Sequence, residues 1–287
     1  MTYTKSAPSA PSARALLRRT RVVIPALVAA ALLAIPASSV AAVNPAGPAA
    51  GAVKAAKPTI VLVHGAFADS SSWDGVVARL EREGYPVLGV ANPLRDLAGD
   101  AAYLSSVLDT IPGPVVLVGH SYGGAVITNA AAGHANVRAL VYIAAFAPDQ
   151  GESSLGITGE YPGSQLPSSL VVRPFPGGQD AYIDPSAFRK VFAADVPARE
   201  ARLLAAGQRP VAVAALAAPS SAPAWRTIPS WYLVAAADQA IPPAAERAMA
   251  RRAHAHTVTV PGASHAVSVS HPEAVADLVG AAARATG

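Results

Sequence analysis

The chain has 287 residues, of which 52% are hydrophobic and 14% are charged, and this excludes a disordered polar protein. It contains no cysteine, which excludes disulfides and thiolate metal sites. With 22 basic and 18 acidic residues its formal net charge is +4.

The first 42 residues have the organisation of a bacterial signal peptide. Four arginines precede the apolar stretch VVIPALVAAALLAIP, and small residues follow it up to Ala42. An uncleaved membrane anchor is the alternative, because residues 22–43 carry no charge. The prolines and the small-residue exit favour cleavage near Ala41 or Ala42, and Arg18-Arg19 points to twin-arginine export. We therefore expect a secreted protein with no stable membrane insertion once the leader is removed.

The leader also accounts for the basic charge of the chain. Residues 1–42 hold five of the 22 basic residues and no acidic one, which leaves 17 basic against 18 acidic residues in the remainder. This balance gives no electrostatic case for a nucleic-acid partner. Residues 43–57, VNPAGPAAGAVKAAK, are rich in alanine, glycine and proline and predict a flexible linker before a domain at 58–287.

From residue 58, apolar runs of strand length alternate with segments of helical periodicity. Strands are predicted at 59–65, 85–93, 114–120, 137–146, 229–238 and 256–262. Helices are predicted at 72–84, 96–110, 125–132, 242–253 and 272–286. Continuous apolar runs are typical of strands buried on both faces. The alternation therefore predicts an α/β fold with a mainly parallel six-stranded sheet and helices on both faces.

Residues 149–228 interrupt the alternation and are rich in proline and glycine. We interpret them as an irregular inserted cap or lid, with short helices near 186–194 and 197–206, over the sheet edge where such folds bind ligands. Six aromatic residues there either line an acyl pocket or pack within the cap: Tyr161, Phe175, Tyr182, Phe188, Phe192 and Trp225.

Ser121 is the predicted nucleophile. The segment Gly119-His120-Ser121-Tyr122-Gly123 fits the pattern G-x-S-x-G between a predicted strand and a predicted helix. Such a serine occupies a sharp, strained turn, and the glycines allow close backbone packing. A tight turn with an incidental serine is the alternative, which the strand–turn–helix context disfavours.

A serine hydroxyl needs a base to remove its proton, and the base needs an orienting acid. His265, just beyond the last predicted strand, is the favoured base, and His271 is the alternative. Asp238, at the end of WYLVAAAD, is the favoured acid, and Asp149 is the alternative. The order Ser121, Asp238, His265 is that of a nucleophile-elbow triad.

The reaction of an ester with serine also creates an oxyanion that needs preorganised donors. The backbone N–H of Tyr122, directly after the nucleophile, is one candidate. The second is expected in the loop after the first strand, where Ala66 is favoured and Phe67 is the alternative. No metal or organic cofactor is required for this chemistry.

From about residue 58 to its end the chain resembles the α/β-hydrolase superfamily. The resemblance is carried by VLVHGAFADSSSW, VLVGHSYGGAV, WYLVAAADQAIPP and PGASHAVSVSHP. Within the superfamily it is similar to compact bacterial esterase-like hydrolases, distantly related to plant hydroxynitrile lyases and methyl-ester esterases. The lyases have Thr and Lys where this chain has Gly65 and Ala266, which implies hydrolysis. Relatives with an aspartate nucleophile, such as epoxide hydrolases and haloalkane dehalogenases, differ at Ser121.

We therefore expect a serine hydrolase that cleaves small or medium carboxylic esters through an acyl-enzyme. A small-molecule ester is the expected partner. Amide hydrolysis, lactone hydrolysis and cofactor-free perhydrolysis remain open, because the same groups serve all acyl transfers. A non-catalytic ligand-binding protein on a hydrolase scaffold is a further alternative.

Overall fold

The computed structural model describes residues 57–286. The predicted signal peptide (1–42) and the predicted linker (43–57), except its last residue, lie outside the described residues. Within the described part, no helix is both long and apolar enough to cross a membrane.

The described residues form nine strands and ten α-helices. The strands are β1 (Thr59–Val63), β2 (Val87–Val90), β3 (Val115–His120), β4 (Val137–Ile143), β5 (Leu170–Phe175), β6 (Gly178–Ile183), β7 (Val211–Ala212), β8 (Ser230–Ala235) and β9 (His256–Val260). The helices are α1 (Asp74–Arg82), α2 (Leu97–Leu108), α3 (Tyr122–Ala130), α4 (Ser154–Glu160), α5 (Pro185–Phe192), α6 (Ala198–Gly207), α7 (Val213–Ala217), α8 (Pro243–Arg252), α9 (Val267–Ser270) and α10 (Pro272–Thr286).

The central sheet has six parallel strands in the order β2-β1-β3-β4-β8-β9, which confirms the predicted fold class. Every residue of β3 is buried, because helices cover both faces of the sheet. One face packs against α1 and α10, and the other packs against α2, α3 and α8. All six strands therefore end at the same edge, where the loops carrying the candidate residues meet.

The inserted segment is more regular than predicted. Its residues 170–183 form an antiparallel hairpin of β5 and β6, joined by Pro176-Gly177, and β7 pairs with β6. The prediction of irregular structure is wrong here because Pro174, Gly177 and Gly178 interrupt the short apolar runs of the two strands, and proline and glycine are typical of turns. Gly177 has φ +98°, a conformation that favours glycine in a tight hairpin turn. The two helices expected in this segment are present as α5 and α6.

Because one leucine is buried and another is exposed, replacing each with alanine should have different effects on the free energy of unfolding. Leu117 is fully buried in β3, so Leu117→Ala should lower the free energy of unfolding by about 2–5 kcal/mol through loss of contacts and formation of a cavity. Leu203 on α6 is 67% exposed, so Leu203→Ala should change it by less than about 0.5 kcal/mol. Urea denaturation measures both values, and equal effects would contradict the placement of Leu117.

Candidate active site

The turn at Ser121 joins β3 to α3 in a strained conformation. Ser121 has φ +53° and ψ −124°, a region that non-glycine residues rarely adopt. Its carbonyl oxygen accepts hydrogen bonds from the N–H groups of Gly124 at 3.0 Å and Phe146 at 3.1 Å. These bonds, together with the surrounding packing, hold a turn that would otherwise relax.

Glycines surround this turn because there is no space for side chains. A Cβ atom at Gly119 would lie 2.6 Å from the carbonyl oxygen of Gly123, and one at Gly65 would lie 2.6 Å from Cβ of Ser121. At Gly124, a Cβ would overlap the carbonyl oxygen of Phe146. The glycines of the motif therefore allow β1, the turn and the loop after β4 to meet at backbone distance.

Asp238 and His265 form a direct pair at the same edge of the sheet. Nδ1 of His265 and Oδ2 of Asp238 are 2.5 Å apart, and both side chains are buried. Oδ1 of Asp238 accepts hydrogen bonds from the N–H groups of Ala240 at 2.6 Å and Ile241 at 2.9 Å. A carboxylate facing Nδ1 selects the tautomer protonated there, so Nε2 of the neutral ring is left as an acceptor.

The two alternative residues have other partners. Oδ1 of Asp149 accepts a hydrogen bond from Nη2 of Arg226 at 2.6 Å. Nε2 of His271 lies 3.2 Å from Oδ2 of Asp195, in the inserted segment. The structure thus pairs His265 with Asp238 and with neither alternative.

Ser121 is connected to His265 through His120. Among the hydrogen bonds of residues 57–286, none joins the Ser121 hydroxyl to His265. Nε2 of His120 donates to the carbonyl oxygen of His265 at 2.9 Å, and the two ring centroids are 4.8 Å apart. The residue before Ser121 therefore fixes the backbone of His265, and a direct bond between serine and histidine is often long without substrate.

His120 is a neutral donor in this arrangement. Burial, assisted by the adjacent His265, lowers the pKa of His120 to about 3. Since its Nε2 donates to a carbonyl group, its Nδ1 carries no proton, and Nδ1 has no partner within the described part of the chain. His120 therefore acts as a spacer between the two segments and carries no charge near neutral pH.

The backbone donors next to Ser121 differ in their availability. The N–H of Phe67 donates to the carbonyl oxygen of Arg209 at 2.9 Å. In the described residues, no hydrogen bond uses the N–H of Ala66 or Tyr122. Of the two candidates in the loop after β1, Phe67 is therefore occupied and Ala66 is available.

Two polar residues that the sequence analysis did not single out fix these donors. The N–H of Asn92 donates to Nε2 of His64 at 3.0 Å, and its side-chain amide donates to the carbonyl oxygen of His64 at 3.1 Å. Burial lowers the pKa of His64, which keeps this acceptor unprotonated. The Tyr122 hydroxyl donates to Oδ2 of Asp100 at 2.9 Å. In the sequence, Asp100 could have been recognised because it is a charged residue on the apolar face of α2.

Ser121, Ala66 and Tyr122 line one small pocket of about 30 Å³. Its other walls are mainly apolar: Phe67, Phe146, Ser154, Leu155, Thr158, Leu166, Pro167, Leu170 and Leu216. None of the six aromatic residues considered for an acyl pocket lines it, so that interpretation is wrong for this pocket. Phe188 and Trp225 are buried in the core cluster instead.

A second pocket of about 190 Å³ lies on the other side of Phe67. Phe192, one of the six aromatic residues, lines it together with His120, Leu203 and Leu204. The rings of Phe67 and Phe192 meet edge to face with centroids 6.5 Å apart. Phe67 therefore borders both pockets and separates the one at Ser121 from its larger neighbour.

Comparisons with known proteins agree with this architecture. A family model described as "Alpha/beta hydrolase family" matches residues 60–278. A pyrethroid hydrolase of Sphingobium wenxiniae is 29% identical over 250 residues, which cover 77% of this chain and 85% of the relative. A carbendazim hydrolyzing esterase of Nocardioides is 37% identical over 113 residues, 34% of this chain and 46% of the relative. The crystal structure of a pyrethroid hydrolase from Sphingobium faniae has a TM-score of 0.64 at 27% identity and covers 79% of this chain and 98% of its own.

The buried neutral state of His120 predicts a specific pH dependence of stability. The unfolded state binds a proton below the ordinary pKa of 6.5, whereas the folded state does so only near 3. Stability is therefore lost as the pH falls, by about 2 kcal/mol between pH 7 and pH 5. In His120→Gln, whose amide can still donate to His265, this contribution should disappear, while that of His64, the other buried histidine with a lowered pKa, should remain. Urea denaturation at both pH values tests this, and identical pH dependence in parent and variant would contradict it.

Proposed function

Because the chain belongs to the alpha/beta hydrolase family, we propose that it is a serine hydrolase that cleaves small or medium carboxylic esters through an acyl-enzyme. One observation carries the proposal: the strained Ser121 shares an apolar pocket with Ala66 and Tyr122, whose N–H groups have no other acceptor among the described residues. The names of the relatives, a pyrethroid hydrolase and an esterase, support ester hydrolysis over amide, lactone or peracid chemistry.

In the proposed mechanism, Ser121 Oγ attacks the ester carbonyl carbon while Nε2 of His265 takes the hydroxyl proton. Asp238 holds the imidazole in the required tautomer and stabilises the imidazolium that forms. The N–H groups of Ala66 and Tyr122 stabilise the negative charge that develops on the carbonyl oxygen. The imidazolium then protonates the leaving alcohol, which gives the acyl-enzyme. Water, deprotonated by His265, attacks this intermediate and releases the acid and the free serine.

The pocket walls indicate the class of substrate. Side chains around Ser121 are predominantly aliphatic, so we assign an apolar acyl group to this pocket. The pocket is small, about 30 Å³, and Leu155 of the inserted segment, which is 44% exposed, lines it, so we expect this side chain to move when a long acyl chain binds. The larger pocket beyond Phe67 offers space for the alcohol part of the ester.

Replacement of Ser121 tests the proposed chemistry directly. Ser121→Ala should lower kcat/KM for nitrophenyl esters by at least about 10³-fold, because the variant has no nucleophile. A series of acyl chain lengths, measured by release of nitrophenol, should show a preference that reports the size of the apolar pocket. A fluorophosphonate probe should label the parent and leave the variant unlabelled.

The alternative residues provide matched controls for this experiment. His265→Gln and Asp238→Asn should lose most of the activity. His271→Gln and Asp149→Asn should keep it, because these two residues form ion pairs elsewhere and are not part of the proposed triad. Equal rates for the parent and Ser121→Ala would overturn the proposal and favour a ligand-binding role.

We also propose that the protein is exported and that its leader is cleaved. Expression of the full chain in a bacterium with both export pathways should give a mature form beginning near Ala42, identified by intact mass in the periplasm or the medium. Replacing Arg18 and Arg19 with lysine should retain the precursor in the cytoplasm if the twin-arginine route is used. An intact leader in the membrane fraction would contradict cleavage.

A further inference from the structure

A second buried carboxyl group lies behind Asp238. Glu246, on α8, has no exposed surface, and its carboxyl group reaches the turn Ala235–Asp238, in which the N–H of Asp238 donates to the carbonyl oxygen of Ala235 at 3.2 Å. Its Oε2 accepts a hydrogen bond from the N–H of Ala235 at 3.0 Å. Its Oε1 is buried and has no donor in the described part of the chain. The chemistry proposed above gives this glutamate no role.

Two adjacent buried carboxyl groups cannot both be ionised without a large cost. Asp238 has three surrounding donors, namely the N–H groups of Ala240 and Ile241 and Nδ1 of His265. Glu246 has one, from Ala235, and forms no salt bridge among the described residues. The negative charge is therefore more stable on Asp238, and a shared proton is more stable on Glu246.

We propose that Glu246 is a neutral carboxylic acid that donates a hydrogen bond from Oε1 to Asp238 and so positions the aspartate toward His265. This assignment gives the unpartnered Oε1 a partner and removes a second negative charge from behind the triad. Glu246 is a positioning residue, because it acts on His265 only through Asp238. The catalytic consequence rests on the proposed function, whereas the protonation state does not.

The surroundings of Glu246 keep the proton in place. Burial, followed by the charge of Asp238, raises the pKa of Glu246 well above its usual range. Burial raises the pKa of Tyr232 on β8 well above its usual range, so this neighbouring phenol also stays neutral, and its hydroxyl donates to the carbonyl oxygen of Ala145. Arg247, on the same helix, exerts a smaller opposing effect. Burial and the adjacent carboxylate of Asp238 therefore both favour the neutral form of Glu246.

Infrared spectroscopy tests the protonation state without any assay of activity. The difference spectrum between the parent and Glu246→Gln at pH 8 should contain the C=O stretch of a protonated carboxylic acid. A carboxylate band in its place would overturn the proposal. Should the variant fail to fold, titration of the acid band in the parent from pH 6 to pH 9 gives the same answer, because loss of the band near pH 6 would overturn it equally.

Kinetics test the positioning role. Glu246→Gln stays neutral and can donate from its amide, so kcat/KM and its pH profile should remain within about 3-fold of the parent. Glu246→Met, of similar length, has no donor, and kcat should fall by about 10- to 100-fold with KM little changed. A rise in KM at unchanged kcat, or equal losses in both variants, would overturn the positioning role.

Failure of the proposed function can be told apart from failure of this inference. If Ser121→Ala retained activity, the proposed function would be wrong, but infrared spectroscopy would still determine whether Glu246 is protonated.

Discussion

The close approach of three backbone segments at the end of β3 is the constraint on which the site depends. The turn at Ser121 passes the ends of β1 and β4 with no space for a Cβ at Gly65, Gly123 or Gly124. The turn therefore cannot relax, and Ser121 keeps a conformation that costs about 1–3 kcal/mol. The central strands, buried on both faces, compensate for this cost by holding the surrounding backbone rigid.

Neutral hydrogen-bonding groups then tie the neighbouring loops to this turn. His64 binds Asn92, and His120 binds the carbonyl oxygen of His265. Burial keeps both histidines uncharged, so these connections persist when the pH changes near neutrality. Charged pairs such as Arg252 with Glu152 lie outside this layer, in partly exposed positions. The hydrogen bonds of His64 and His120 thus hold the site in place, while the proton transfer that we propose takes place at Ser121 and His265.

The parts of the fold that could be predicted are those that leave a local pattern. Parallel strands buried on both faces appear as continuous apolar runs, and the Ser121 turn appears as glycines at fixed spacing. The hairpin of β5 and β6 leaves no such pattern, because its apolar runs are short and Pro174 and two glycines interrupt them. Asp238 and Asp149 both follow strands, so the sequence only favours Asp238, and the tertiary pairing with His265 distinguishes them directly.

Contacts between distant elements were the part that could not be predicted. Asp100 and Glu246 each lie on a buried helix face, which marks them as unusual, but Tyr122, which binds Asp100, and Asp238, the proposed partner of Glu246, are on other elements. Alanine-rich helices such as α8 also weaken the periodicity that would reveal a buried polar residue. The two readings of the six aromatic residues could not be separated for a related reason, since aromatic content does not indicate which side chains face Ser121.

The pocket at Ser121 is lined partly by the edge of the sheet and partly by the inserted segment. Its floor consists of Ser121, Ala66 and Tyr122, held by backbone packing that tolerates no change. Much of its rim consists of aliphatic side chains of the inserted segment, such as Leu166 and Leu170, which packing alone keeps in place. Exchanges among such side chains are accommodated readily in proteins. New substrates can therefore be acquired through the inserted segment while the reaction itself is inherited unchanged from the sheet.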